Sequence, residues 1–181
     1  IYSLLIQCLL NLTTNNIDTA EIFDLKSDLE FTSLALKIFK YQYANNQVYN
    51  EFCQQLHVKP EAVKRLEEIP FLPISFFKTH EVFTGKKGDL VFTSSGTTGQ
   101  ITSKHFVLDA EVYKKSFMQA FELFYGAVGS KCVLGLLPSY LERDGSSLVY
   151  MVNELIEKSE NPRSGFYLND YEAFCAKVEA A

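Results

Sequence analysis

The chain is sparing with the residues that build metal and redox sites, and it scatters the few it has. Its 181 residues include four cysteines and three histidines. Cys8, Cys53, Cys132 and Cys175 stand far apart with no Cys-x-x-Cys pair, and His57, His80 and His105 are equally dispersed. That excludes the ligand spacing of a structural zinc site. Cys8, Cys132 and Cys175 each sit among apolar neighbours and are expected to be small core side chains. There is no run of Lys or Arg, and the net charge of −5 leaves no basic face of the kind duplex nucleic-acid binding requires. The apolar opening from Ile1 to Leu12 falls short of the roughly 20 residues a membrane span needs. It also lacks the basic start of a signal peptide. A cytoplasmic address without a membrane span is therefore expected, with Ile1 standing where an initiator Met belongs and the natural start lying upstream or trimmed. Low-complexity linkers and repeats are missing as well. At 47% hydrophobic and 22% charged, the chain can bury one substantial core and suits roughly one domain.

Two regions divide it. From residue 1 to 68 the pattern is helical: Asp18 and Glu21 form a variant of a capping box, and Phe31, Leu34, Ile38 and Tyr41 recur at helical spacing. Asn46 is placed to cap a helix carrying Val48, Tyr49, Phe52 and Leu56 on one face, and Pro60 suits the first turn of another. From residue 69 to 181 the pattern is α/β. Beginning at Leu90 the order reads strand, loop, strand, helix, strand, helix, strand, helix. Asp109 caps a helix with the apolar stripe Tyr113, Phe117, Phe121 and Phe124, ended by Gly126 and Gly129. Cys132 to Leu137 is a continuous apolar run halted by Pro138, as in a buried strand. Ser146 or Ser147 opens a helix through Lys158, Gly165 to Leu168 is a short strand, and Asn169 or Asp170 opens the last helix. The fold class predicted is a helical N-terminal region followed by a mixed, mostly parallel sheet with crossover helices, to which the first two strands add an antiparallel pair.

The chemistry concentrates where those two strands meet. Leu90-Val91-Phe92-Thr93 runs into Ser94-Ser95-Gly96-Thr97-Thr98-Gly99, and Lys104-His105-Phe106-Val107-Leu108 returns as the second strand. Gly96 and Gly99 permit backbone angles that let successive N–H groups converge on an anion, and Ser94, Ser95, Thr97 and Thr98 add rotatable hydroxyl donors. Each hydrogen bond to a charged phosphate oxygen is worth roughly 1.5–3 kcal/mol, so a few suffice to hold a triphosphate tail. No Lys directly follows Gly99, so this is not a Walker loop, and one Gly-x-x-Gly is not a dinucleotide fingerprint. A plain turn rich in turn-forming residues is the competing reading.

The Thr93-to-Gly99 loop resembles the signature of the adenylate-forming superfamily. Ile69-Pro70-Phe71-Leu72-Pro73-Ile74-Ser75-Phe76-Phe77-Lys78 before it and Leu136-Leu137-Pro138-Ser139-Tyr140-Leu141-Glu142-Arg143 after it narrow the resemblance to the LuxE-type acyl-protein synthetases, from about Phe31 onward. The resemblance implies part of the large domain of an adenylate-forming enzyme. It also implies ATP and Mg²⁺ in the complete protein, a fatty or other carboxylic acid as substrate, and transfer of the acyl group to a protein cysteine, with an acyl-acceptor or reductase protein as partner. Ser94, Ser95, Gly96, Thr97, Thr98 and Gly99 would hold nucleotide phosphates. Lys104 is the candidate cation, although Gln100-Ile101-Thr102-Ser103 sets it farther from the last glycine than the Pro-Lys of the family. Tyr140 and Arg143 follow a strand end, where ligands of open α/β sheets collect, and are candidates for a substrate pocket. Tyr140 is as readily a packing aromatic, and Arg143, between Glu142 and Asp144, is readily paired with an acid.

The family's acyl-accepting cysteine and its adenine, ribose and metal-holding segments lie later than residue 181. The chain therefore reads as a truncated N-terminal portion, inactive alone, that exposes apolar surface and forms a homo-oligomer. Two alternatives stay open: a relative of phenylacetate-type coenzyme A ligases, differing in the thiol acceptor, and a non-catalytic remnant that binds an acyl donor or a partner protein.

Overall fold

The computed structural model describes residues 17, 19–88, 90–94, 101–137 and 145–179. It divides into two compact units, Ile1–Tyr113 and Lys114–Ala181. Within the described residues the first unit opens with three helices. Helix α1 spans Thr19–Phe23, α2 Asp28–Asn45 and α3 Gln47–Gln55. Ser27 caps α2 by accepting the Glu30 N–H at 3.2 Å, while the Glu30 carboxylate accepts the Lys26 N–H at 2.7 Å. The first bond satisfies a donor that the first helical turn leaves open, and the second ties Glu30 back to the residue before the cap.

Asn46 serves two helices. Its backbone N–H closes α2 on the Gln42 carbonyl at 2.8 Å, and its side-chain oxygen accepts the Tyr49 N–H at 3.1 Å to open α3. A single extended residue thus makes the elbow between them. The elbow is anchored by polar groups withdrawn from water: Gln42 Oε1 accepts from Asn46 Nδ2 at 3.1 Å and from Thr84 Oγ1 at 2.8 Å, and all three side chains are buried. Buried polar atoms are costly unless paired, so this network ties the segment around Thr84 to one position on α2.

The α2 stripe buries on two sides. Leu34, Ile38 and Tyr41 pack with Ile17. Phe39 faces a second cluster with Tyr49, Cys53, Val63, Leu72, Phe77 and Val82. The Pro-rich segment before the loop is part of that cluster, since Leu72 and Phe77 are buried while Phe71 and Ile74 face solvent. The Tyr49 hydroxyl donates to the Pro70 carbonyl at 2.7 Å, and Phe76–Thr79 forms the single turn α4. Pro60 does not start a helix. Residues 60–62 are turn, and a 3-10 turn follows at Leu66–Glu68. Between Lys59 and Arg65 only Val63 is buried, too little apolar surface to offset the cost of a helical nucleus.

The unit ends in an antiparallel hairpin. Strand β1, Leu90–Thr93, pairs with β2, Lys104–Val107, in the register Leu90↔Val107 to Thr93↔Lys104. Phe92, Phe106 and Val107 are buried, Phe106 meets Phe83 edge-on at 5.8 Å, and Phe92 lies 5.1 Å from Tyr113. Gly88 leads into β1 where the backbone of β2 presses against it. A Cβ there would stand 2.1 Å from the Val107 carbonyl oxygen.

Helix α5, Ala110–Tyr125, carries the chain into the second unit. The Asp109 carboxylate accepts the Glu111 N–H at 2.9 Å at its start. Gly126 ends it with φ +78° and an N–H bonded to the Glu122 carbonyl at 2.9 Å. In that unit β3, Leu134–Gly135, pairs in parallel with β4, Gly165–Phe166. Between them α6, Ser147–Ser159, is capped by Ser146. Asp170 caps α7, Tyr171–Glu179, accepting the Ala173 N–H at 2.9 Å. Phe117, Val128, Val149 and Leu155 are buried here, with Phe117 edge-on to Tyr150 at 6.4 Å.

The alternation of strands and helices after Leu90 is as predicted, and the fold is mixed α/β, but one mostly parallel sheet does not form among the described residues. The strands make two separate two-stranded sheets, one antiparallel and one parallel. The apolar run Cys132–Leu137 contributes only two residues to a ladder, and Leu136 is exposed. Cys8 lies outside the described residues; for Cys132 and Cys175 burial reverses the expectation of core side chains. Cys53 is completely buried and burial pushes its thiol up, whereas Cys132 is half-buried and Cys175 exposed. The α5 stripe fails at its end, where Leu123, Phe124 and Tyr125 are 80%, 78% and 65% exposed. These three are consecutive, so they sweep around the helix instead of sharing one face.

Candidate functional site

The hairpin positions the hydroxyl-rich loop through its last rungs. Beyond the Thr93↔Lys104 pair, the Ser94 N–H donates to the Ser103 carbonyl at 3.1 Å, and the Ser103 N–H donates to Ser94 Oγ at 3.0 Å. Ser94 is exposed and Ser103 is buried. Because the Ser94 oxygen accepts from Ser103, its own hydrogen is left as a donor. Thr93 and Lys104 are both exposed, so the loop end of the hairpin presents a hydroxyl on one strand and an ammonium on the other. Of the predicted nucleotide residues, the structure brings Ser94 and Lys104 to this end. Ser95, Gly96, Thr97, Thr98 and Gly99 lie outside the described residues, as do Tyr140 and Arg143.

Two side chains at the base of the loop were not singled out in the sequence. Ser103 Oγ lies 3.0 Å from His105 Nε2, and the His105 ring stacks on Phe77 with centroids 5.0 Å apart and planes 25° from parallel. Burial holds this imidazole below the ordinary histidine value, which favours its uncharged form. The available signal was the spacing. Residues two apart in extended chain share a face, which sets Ser103 beside His105 and leaves Lys104 on the opposite, open side. Contact with Phe77, 28 positions earlier, carried no such signal.

Among the described residues no group of three His, Cys, Asp or Glu side chains gathers as a metal site, so none of them is proposed as a ligand for Mg²⁺. No helix among them is long and apolar enough to cross a membrane. In the second unit a cleft of about 580 Å³ is lined by Gly129, Ser159, Glu160, Asn161, Pro162 and Arg163, none of them a predicted site residue.

Chemically, among the described residues the hairpin end offers the Thr93 and Ser94 hydroxyls and the Lys104 ammonium, an arrangement suited to holding an anion. Residues 16–128, which include the whole hairpin and its loop, match the family model described as acyl-protein synthetase, LuxE. A long-chain-fatty-acid–luciferin-component ligase of Vibrio harveyi is 37% identical over 84 residues, 45% of this chain and 22% of that protein. One of Photorhabdus luminescens is 34% identical over 68 residues, 36% of this chain and 58% of that protein. The matched stretches thus span less than two thirds of either relative's length. No solved structure matches the chain significantly.

Proposed function

The chain belongs to the LuxE acyl-protein synthetase family, and on that premise we propose that it is part of an ATP-dependent ligase that activates a long-chain fatty acid and passes the acyl group to a protein cysteine. The observation that carries this reading is the match over residues 16–128, since those residues contain the hydroxyl-rich loop. The names of both relatives support a long-chain fatty acid as the acid.

In the first step a carboxylate oxygen of the acid attacks the α-phosphorus of ATP. An oxygen–phosphorus bond forms, the bond to the β-phosphate breaks, and acyl-adenylate and pyrophosphate result. In the second a cysteine thiol attacks the acyl carbon, AMP leaves, the thiol proton passes to solvent and a thioester remains. No general base is required for the first step, because a carboxyl group with a pKa of about 4 is already ionised at neutral pH. The work of the protein is positioning and charge neutralisation. Ser94, Ser95, Thr97 and Thr98, with the backbone at Gly96 and Gly99, take the β- and γ-phosphates, and Lys104 adds a positive charge beside them. Mg²⁺ would share the phosphate charge when bound.

The test is fatty-acid-dependent exchange of pyrophosphate into ATP by the full-length protein. Thr97→Val deletes one hydroxyl donor while keeping the side-chain shape. The rate should fall about 100- to 1000-fold, the cost of losing one preorganised donor to developing charge. The 181-residue chain alone should show no exchange. A folded Thr97→Val variant, joined by a folded Gly96→Val variant, exchanging at the parental rate would reduce the loop to a turn. Supplying coenzyme A in place of an acceptor protein then decides the thiol.

A further inference from the structure

His105 is a titratable side chain beneath the loop that the activation chemistry leaves unused. Its Nδ1 is buried without a hydrogen-bond partner among the described residues. A buried ring nitrogen left unpaired is a desolvation cost, and packing alone does not call for it, since phenylalanine would stack on Phe77 as well. The imidazole therefore has a use in its other nitrogen, the one 3.0 Å from Ser103 Oγ.

From there the contacts run in both directions. Inward, the ring lies on Phe77, which is 4% exposed and fixed in the cluster with Leu72, Val82 and Phe39. Outward, Ser103 holds Ser94 by two hydrogen bonds, through its carbonyl at 3.1 Å and its N–H at 3.0 Å. The exposed Ser94 hydroxyl is thus braced against the core through three residues in succession, Ser103, His105 and Phe77. Ser103 is 6% exposed, so its own hydroxyl has little water to bond to in place of the imidazole.

We propose that Ser103 and His105 are positioning residues for the nucleotide, bracing Ser94 as a hydroxyl donor to phosphate. This rests on the phosphate-binding reading of the loop. Neither residue touches substrate; they act by fixing the donor before ATP arrives, so that binding does not have to order it. The contribution falls on nucleotide affinity and leaves the fatty acid alone.

The experiment is steady-state exchange in the full-length protein with ATP and a long-chain fatty acid varied separately. His105→Phe keeps a ring on Phe77 and deletes the nitrogen. It should raise the KM for ATP about 5- to 10-fold, the effect of one neutral hydrogen bond, with the KM for the acid unchanged and the melting temperature not lowered. Ser103→Ala should do the same, and the double variant should be no worse than either single one, since both remove one interaction. His105→Gln, which returns a polar atom near the ε position, should recover most of the affinity. The proposal is overturned if His105→Phe and Ser103→Ala fold and keep the parental KM for ATP. It is equally overturned if both substrates weaken together with a fall in melting temperature that His105→Gln does not rescue. Thr97→Val separates the two levels. Loss of exchange in Thr97→Val with none in His105→Phe defeats the positioning role only, while parental kinetics in both defeat the phosphate loop as well.

Discussion

Substituting alanine for Gly88 should damage the hairpin more than any neighbouring substitution of equal size. The added Cβ would meet the Val107 carbonyl oxygen at 2.1 Å, the Val107 carbonyl carbon at 2.4 Å and the Leu108 Cα at 2.7 Å. Each is a backbone atom, so no side chain can swing aside. Favourable contact needs about 3.5 Å, leaving roughly 1.4 Å to be found by moving β2 or the residue 88 backbone. Overpacking of this kind costs about 1–3 kcal/mol, and a backbone clash belongs at the upper end, so we expect ~2–3 kcal/mol. Amide hydrogen exchange reads it locally: protection across Leu90–Thr93 and Lys104–Val107 should fall roughly 30- to 140-fold. With a urea dependence of about 2–3 kcal/mol per molar, the unfolding midpoint of this unit should drop by about 1 M. Gly129→Ala is the control, since no atom lies within 4 Å of its Cβ and its φ is not positive. Such a site should change by no more than about 0.5 kcal/mol. If Gly88→Ala retains parental protection in both strands, the close approach of Gly88 to Val107 does not govern the hairpin, and the placement of the loop base on β2 loses its support.

Acid should weaken the first unit through His105. Its folded-state pKa is depressed by burial, so below the ordinary histidine value the unfolded chain binds a proton that the folded one resists, and stability falls as pH drops through that window. Urea midpoints compared at pH 7.5 and 5.5 should therefore diverge more for the parental chain than for His105→Phe, and equal slopes would contradict the assignment. Thiol labelling under native conditions should modify Cys175 readily and Cys53 only after unfolding, because Cys53 is enclosed and burial holds its thiol protonated. Peptide mapping by mass spectrometry distinguishes them, and rapid native labelling of Cys53 would contradict the packing of the α2–α3 core.

Local signals were read correctly where one or two residues decide the outcome. Asn46 caps the helix it was expected to cap, Ser146 and Asp170 are the members of the pairs Ser146/Ser147 and Asn169/Asp170 that cap, and Gly126 ends α5, since each effect depends on a side-chain oxygen or a positive φ within a few residues. Pro60 misled because its fixed φ permits a helix without requiring one, and the segment after it has little to bury. The apolar stripe on α5 was legible as a period, but the exposure of Phe124 was not, because periodicity says which residues share a face and not what covers it.

By itself the sequence determined the order of elements after Leu90, the hairpin around the hydroxyl-rich loop and the family, because caps, turn residues and loop composition act over short stretches of chain. Tertiary structure alone decided that, among the described residues, Cys53 is the enclosed cysteine and the strands form two separate pairs. It also decided that Gln42 joins Asn46 to Thr84, that Gly88 admits no side chain and that His105 lies on Phe77 beneath Ser103. The contacts of Gly88 with Val107, His105 with Phe77 and Thr84 with Gln42 join surfaces 19, 28 and 42 positions apart in the chain. Such meetings are set by the packing of the whole core, and no short window of residues contains them.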